Sequence, residues 1–273
     1  MSKTIHRSCP VCTRDNRDSK PSNYSRNEWK IKECPECKFV YLENAPVYEA
    51  LVKEFAWEKT SRKEKTARKT REPVKQSLSD YFKMVRKRYL KRSKLTKLIN
   101  RYFDLGNVLD IGCASGGVLR KLDSGYVPFG IEISEYLAQK GNESIRRKGG
   151  YILHCDALSG LSQFEDDFFE GIVMSAFLEH EAEPIGLLNE CFRALKDHGK
   201  VIIKVPNYAC VNRMARGSKW CGFRYPDHVN YFTPATLRNM CEELGFVVHK
   251  FDFFDRHPFS DNMWMVIIKN NSG

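Results

Sequence analysis

Long apolar runs are missing from this 273-residue chain. No stretch reaches about 18 consecutive apolar residues, so no transmembrane helix is expected. The segment from Met1 to Cys9 is polar and lacks the apolar centre of a signal peptide, so a cytoplasmic protein is expected. Two nucleotide signatures are missing as well. No Gly-x-Gly-x-x-Gly fingerprint of dinucleotide binding occurs at the glycine-rich segment, and no Lys-Ser/Thr follows it as in a P-loop. An acidic excess is also lacking: the net charge is +11. That surplus is local. Residues 53–101 hold 18 Lys and Arg against 5 Asp and Glu, a local +13, which leaves the rest slightly acidic. Mean hydropathy is -0.50 and 42% of residues are hydrophobic, as in a globular chain with one sizeable core and a small appendage.

Cysteine is plentiful, and its spacing excludes a simple disulfide framework. Four of the ten form two tight pairs, Cys9-Pro10-Val11-Cys12 and Cys34-Pro35-Glu36-Cys37, with 21 residues between them. Each pair can offer two thiolates from one turn, and four thiolates close a tetrahedral zinc site. Such a site has no open position for substrate, so Cys9, Cys12, Cys34 and Cys37 are expected to hold a structural Zn2+. Metal rather than disulfide implies a reducing compartment. Trp29, Ile31, Phe39 and Tyr41 should pack as short strands around it. The other six cysteines are scattered and read as reduced thiols.

Three regions follow from these patterns: a zinc-binding knuckle at 1–45, a basic helical linker or cap at 46–103, and an α/β domain at 104–273. The middle region has few breakers apart from Pro73, and its apolar residues, among them Leu95 and Leu98, recur at helical spacing. One face should therefore pack on the body. Its charge could serve a solvated face, a phosphate-bearing partner or an anionic lipid surface. The third region alternates. Strands are expected at 107–111, 127–131, 151–155, 169–175, 200–205, 246–254 and 264–268. Helices are expected to start at 117–122, and at 134–147, 184–195 and 234–244, the last capped by Thr233. Together they describe a Rossmann-like fold around a mainly parallel, seven-stranded sheet.

The ends of the first three strands carry the chemistry. Val108-Leu109-Asp110-Ile111-Gly112-Cys113-Ala114-Ser115-Gly116-Gly117 turns sharply where Gly112 lets backbone approach a ligand. Asp110 disfavours a pyrophosphate and suits an ammonium group. Glu132, after the second strand, can accept both hydroxyls of a ribose. Asp156 can accept from an exocyclic amine, and the backbone amide of Ala157 can donate to a ring nitrogen. A ribose, a base and a cationic amino acid are thus described by successive strand ends.

This region, residues 106–268, resembles the small-molecule branch of the class I S-adenosylmethionine-dependent methyltransferases. Asp110 to Gly116 is similar to that family's first motif, with Ala114 where its middle glycine usually stands. Glu132 and Asp156 match its ribose and adenine acids, and Phe177-Leu178-Glu179-His180 matches its Leu-Glu-His segment. The resemblance implies S-adenosylmethionine as cofactor, held by Asp110, Gly112, Cys113 and Gly116. It adds Glu132, Ile133, Asp156, Ala157 and Ser175. The paired cysteines also resemble, more loosely, those of sugar C-methyltransferases with an N-terminal zinc-binding domain.

Methyl transfer needs in-line approach of a nucleophile and benefits from a general base. His180 is one candidate base, with Glu179 or Glu181 to orient it, and His228 is the other. His228 lies in a long aromatic and polar connection at 206–233, where Arg224, Tyr225, Asn230 and Tyr231 could bind an acceptor. Spacing shows no metal triad around either histidine, so no catalytic metal is expected, with magnesium left open by nearby carboxylates such as Asp227. The favoured acceptor is a small or carrier-linked metabolite, such as a sugar or natural-product intermediate, methylated at O, N or C. The Asn/Asp-Pro-Pro-Tyr/Phe motif of many nucleic-acid methyltransferases is absent. The rival readings are an RNA methyltransferase gripping phosphates with the knuckle and basic helices, and a non-catalytic nucleic-acid or protein-binding adaptor.

Overall fold

The structure is a computed structural model, and it describes residues 4–46 and 94–270. The expected basic helices of 46–103 therefore lie outside the described residues, except for their last part. That part is helix α1, Lys94–Tyr102, whose Leu95, Thr96, Leu98 and Ile99 are buried.

The centre is a seven-stranded sheet. In chain order its strands are β5 (Gly106–Ile111), β6 (Tyr126–Glu132), β7 (Ile152–His154), β8 (Phe169–Ser175), β9 (Leu195–Pro206), β11 (Phe246–Lys250) and β12 (Asn262–Lys269). Their spatial order is β11-β12-β9-β8-β5-β6-β7. Neighbours from β7 to β9 run parallel, and only the pairings made by β12 are antiparallel. Strands buried on both faces need apolar residues at successive positions, and Val108, Leu109, Ile172, Val173, Met174, Val201, Ile202 and Ile203 supply them. Period two then sorts them. Val108, Val173, Ile202 and Val266 meet α1 on one face, while Leu109, Ile172, Met174, Val201, Ile203 and Met265 pack on the other.

Helices α2 (Glu135–Ile145), α3 (Ala157–Leu161), α4 (Pro184–Ala194) and α6 (Pro234–Glu243) link the strands, and α5 (Val211–Arg216) lies in the long connection after β9. Pro184 and Pro234 open their helices where no amide partner is needed. Thr233 caps α6 in a reciprocal box with Thr236.

Two expected elements differ. The helix expected from 117–122 is a single 3-10 turn at Leu119–Lys121, because Gly112, Ala114 and Gly116 ahead of it all take positive φ. The strand expected over 246–254 stops at Lys250, where the Asp252 carboxylate turns the chain by accepting from the Phe254 amide at 3.1 Å.

The cysteine knuckle does not stand apart. Its strands are β1 (Thr4–His6), β2 (Ile31–Glu33), β3 (Val40–Leu42) and β4 (Asn44–Pro46). Strand β3 pairs with β2 on one edge and with β10 (Asn230–Tyr231) of the long connection on the other. A buried cluster joins Trp29, Ile31, Val40 and Leu42 to Tyr208, Trp220, Phe223 and Tyr231. Lys32 is buried beneath it, with its ammonium 3.2 Å from Glu43 and donating to the carbonyls of Asn16, Arg17 and Ser19. A buried charge survives only when so paired.

Arg7 fastens the two parts. Its guanidinium, 7% exposed, donates to the carbonyls of Leu42 (3.3 Å), Val229 (3.1 Å) and Ala182 (2.6 Å) and to Asn230 Oδ1 (3.1 Å). Arg7→Ala leaves these acceptors without their donor and should cost about 3 kcal/mol. Urea denaturation of the two proteins measures it; an unchanged midpoint would show that the clamp contributes nothing.

Candidate active site

The turn after β5 is shaped by close approach. Gly112 has φ +72°, and a Cβ there would lie 2.5 Å from Cδ2 of Phe177. Gly130 on β6 leaves room for Cys113, whose Sγ would be 2.5 Å from a Cβ at that position. The Gly112 and Cys113 amides donate to the Ile131 carbonyl at 2.9 and 3.3 Å. Ala114 takes φ +49°, a conformation that costs an L-residue about 1–2 kcal/mol. Glu132 holds it there. One carboxylate oxygen accepts from the Ala114 amide at 2.8 Å and the other from the Ser134 amide at 2.9 Å. A carboxylate offers about four acceptor directions, so two ribose hydroxyls could be added without displacing the loop.

Asp110, on β5, is fully buried. Burial and the neighbouring Glu132 charge push its carboxyl up to about 7. Among the described residues no cation forms an ion pair with it. Two carboxylates facing each other away from water are a site for a cation. Asp156 follows β7 and caps α3 by accepting from the Ser159 amide at 2.8 Å, and the buried Ala157 is the first residue of that helix. Ile133 and Ser175, at the ends of β6 and β8, are half-buried. The expected cofactor residues thus come together along one edge of the sheet.

A second group lies just beyond β8. Glu179 is 1% exposed, its Oε2 has no hydrogen-bond partner, and burial raises its carboxyl to about 7. Burial, with Arg224 nearby, lowers His180 to about 4, so its ring is neutral at neutral pH. His180 and His228 meet edge to face, with ring centroids 4.7 Å apart. Nδ1 of His180 lies 2.8 Å from the Asp227 carbonyl, and Nδ1 of His228 lies 2.8 Å from the Gly222 carbonyl. A carbonyl only accepts, so each Nδ1 carries a proton, and Nε2 of a neutral ring carries the lone pair. The two candidate bases are therefore parts of one cluster.

The expected acceptor residues separate. Arg224 is half-buried and ion-paired to Asp227 at 2.9 Å. Tyr225 donates to the Tyr24 carbonyl in the knuckle. Asn230 gives its amide protons to the carbonyls of Leu178 (3.0 Å) and Glu181 (2.6 Å), and it accepts from Arg7. Tyr231 is 3% exposed within the aromatic cluster. Asn230 and Tyr231 are thus committed to protein contacts that set the loop. Sequence reasoning missed Arg7, which no motif marks.

The four cysteine thiols also converge. Sγ of Cys9 and Cys37 lie 3.4 Å apart, those of Cys12 and Cys34 3.5 Å apart, and all four fall within 4.8 Å of one another. Tetrahedral Zn–S bonds of about 2.3 Å require sulfurs about 3.8 Å apart. The two turns repeat each other. Thr13 and Lys38 have φ +60°, and their amides donate at 2.9 Å to the carbonyls of Cys9 and Cys34. All ten cysteines are free thiols, so no disulfide competes.

The methyltransferase domain family matches residues 84–250. The chain belongs to the class I S-adenosylmethionine-dependent methyltransferases. Two solved structures share the fold at TM-scores of 0.50 and 0.52, and a third is similar below that level. A candidate methyltransferase from Bacillus halodurans is 16% identical, with a TM-score of 0.52 over 66% of this chain and 100% of its own. A chain from a methyltransferase activator complex of Haloferax volcanii is 16% identical, with a TM-score of 0.50 over 64% of this chain and 93% of its own. A SAM-dependent methyltransferase from Archaeoglobus fulgidus is 19% identical, with a TM-score of 0.49 over 69% of this chain and 99% of its own. Among curated proteins there is no significant match. Within the described residues of this methyltransferase, no helix is long and apolar enough to cross a membrane.

The paired acids fit the cofactor. S-adenosylmethionine brings a methyl group on a cationic sulfonium, together with an ammonium group. A cation binds best once Asp110 is ionised. Affinity should therefore rise about five- to tenfold as pH increases from about 6 to 7.5, through the Asp110 value. Titration calorimetry across that range tests this, with Asp110→Asn expected to flatten the dependence; an equally steep profile in the variant would assign it to another group.

Proposed function

We propose that this methyltransferase acts on a small or carrier-linked metabolite, with a sugar or natural-product intermediate as the leading class. The observation that carries the reading is the Glu179–His180–His228 cluster beside the cofactor crevice, with Glu179 and His228 buried and His180 half-buried. Phe177, which packs on Gly112, stands only two residues before Glu179. An acceptor reaching that cluster would be enclosed by the 206–233 connection. Such a pocket suits one small group rather than a polymer surface.

Within this reading, Asp110, Glu132, Asp156 and the Ala157 amide hold the cofactor, with backbone contacts from Gly112, Cys113, Gly116 and Ile133 and from Ser175. The rings of His180 and His228 receive the acceptor, and a ring Nε2 lone pair can take its proton. Arg224 and Tyr225 lie in the same loop. Exclusion of water by the aromatic cluster strengthens each of these contacts.

The knuckle has a supporting part. Zinc held by Cys9, Cys12, Cys34 and Cys37 would fix β3, and β3 fixes β10 and the loop that carries His228. The 1–45 and 104–273 segments then act as one unit.

Two experiments follow. The zinc-replete protein is incubated with methyl-labelled S-adenosylmethionine and cell extract split into small-metabolite, lipid and RNA fractions. Label should appear in a small-metabolite or lipid fraction, and label confined to RNA would overturn the reading. Separately, Cys34→Ser should lose bound zinc and most methyl transfer while cofactor affinity holds, because the cofactor loop rests on β5 to β7. Full turnover without zinc would remove the knuckle from the mechanism.

A further inference from the structure

We propose that Glu179, His180 and His228 form a second metal site, selective for a divalent transition ion of the zinc or ferrous type. This deepens the reading above, because the site is the one assigned there to the acceptor; with both Nε2 atoms on the ion, the metal would replace the imidazole lone pair in activating the acceptor. One ligand atom from each residue lies within 4.8 Å of the other two, so a small inward movement brings all three onto one ion.

Three features support the assignment. First, both histidines are fixed in the tautomer a metal needs. Each Nδ1 proton is held by a backbone carbonyl at 2.8 Å, from Asp227 and from Gly222. A second-shell bond of this kind orients the ring and leaves Nε2 as the donor. Second, Glu179 Oε2 is buried with no partner, an expense that a protein bears where a cation will sit. Third, of the two cations whose charge reaches Glu179, Lys204 and Arg224, Arg224 is drawn toward Asp227 at 2.9 Å.

The donor set names the ion class. Two imidazoles and one carboxylate suit zinc or iron, whereas magnesium prefers an all-oxygen shell. Three protein ligands also leave positions open, unlike the closed four-cysteine knuckle. An acceptor bearing a hydroxyl or carboxylate would complete the coordination. The sequence hides this site, because His228 lies far from the Glu179-His180 pair along the chain.

The test uses the full chain, stripped and reloaded with Zn2+ alone, with bound metal counted by elemental analysis. Wild type should hold two equivalents, and His180→Ala/His228→Ala should hold one. Glu179→Gln, which keeps the side-chain volume, should weaken the second equivalent about tenfold or more without touching the first. Cobalt gives a separate reading: thiolate charge-transfer absorption should saturate at one equivalent, while a second adds only ligand-field bands. Mg2+ should not compete. A single equivalent in wild type, lost with Cys34→Ser, overturns the site, as does a second equivalent retained in all the cluster variants. Methyl transfer measured on the same samples separates the two ideas. Transfer with one zinc defeats the second site alone, and two zincs without transfer to any small acceptor defeat the acceptor reading alone.

Discussion

Two residues of β3 lie antiparallel to two residues of β10, Tyr41 opposite Asn230 and Val40 opposite Tyr231. This short ladder, with the Arg7 guanidinium beside it, is the constraint on which the site depends. A connection as long as 206–233 has only the short helix α5 and the two-residue β10 to set its shape, and loops of that length are ordinarily the least determined part of a domain. Here an external strand supplies the missing edge. Asn230 relays the order inward, because its amide holds the carbonyls of Leu178 and Glu181 on either side of Glu179 and His180. The position of His228 is thus fixed by a knuckle built from the other end of the polypeptide.

The crevice and the cluster illustrate opposite uses of burial. At Asp110 and Glu132 two acids lie close together, and burial makes ionising Asp110 costly until a cation arrives. At His180 burial keeps the ring neutral, so that it presents a lone pair rather than a charge. One part of the crevice thus favours a cation, and the other offers a neutral imidazole lone pair. The backbone carbonyls that fix both imidazoles come from the long connection. Chemistry and loop structure are therefore inseparable in this protein.

Much of this was legible in the sequence because it is local. The strand expected at 169–175 has the same bounds in the structure, since a continuous apolar run is what a central parallel strand requires. The strand ends bearing Asp110, Glu132 and Asp156 were equally visible, as each sits at an abrupt change from apolar to polar residues. The cysteine cluster followed from two short spacings. What escaped is non-local or depends on sparse conformations. The stretch 117–122 looked like the start of a helix, but three positive φ values ahead of it, at Gly112, Ala114 and Gly116, leave room for only a single 3-10 turn. Nothing in the residues near Arg7 announces four acceptors drawn from three distant segments. Asn230 and Tyr231 read as polar and aromatic contacts for a ligand, yet pairing with β3 turns both toward the protein. The meeting of His180 with His228 depends on that same pairing.

The Arg7–Val229 bond joins residues 222 positions apart. The knuckle is synthesised before β10, so the strand that will cover Tyr41 and Leu42 has yet to be made when its own residues leave the ribosome. Until β10 is synthesised, β3 is an unpaired edge carrying buried-type side chains, the kind of surface that recruits other strands. The parallel strands β5 to β9 are made in the meantime, but the loop bearing His228 can settle only after β10 has met β3. The order of synthesis thus places the ordering of that loop after the parallel strands, and makes the exposed β3 edge a hazard during biogenesis.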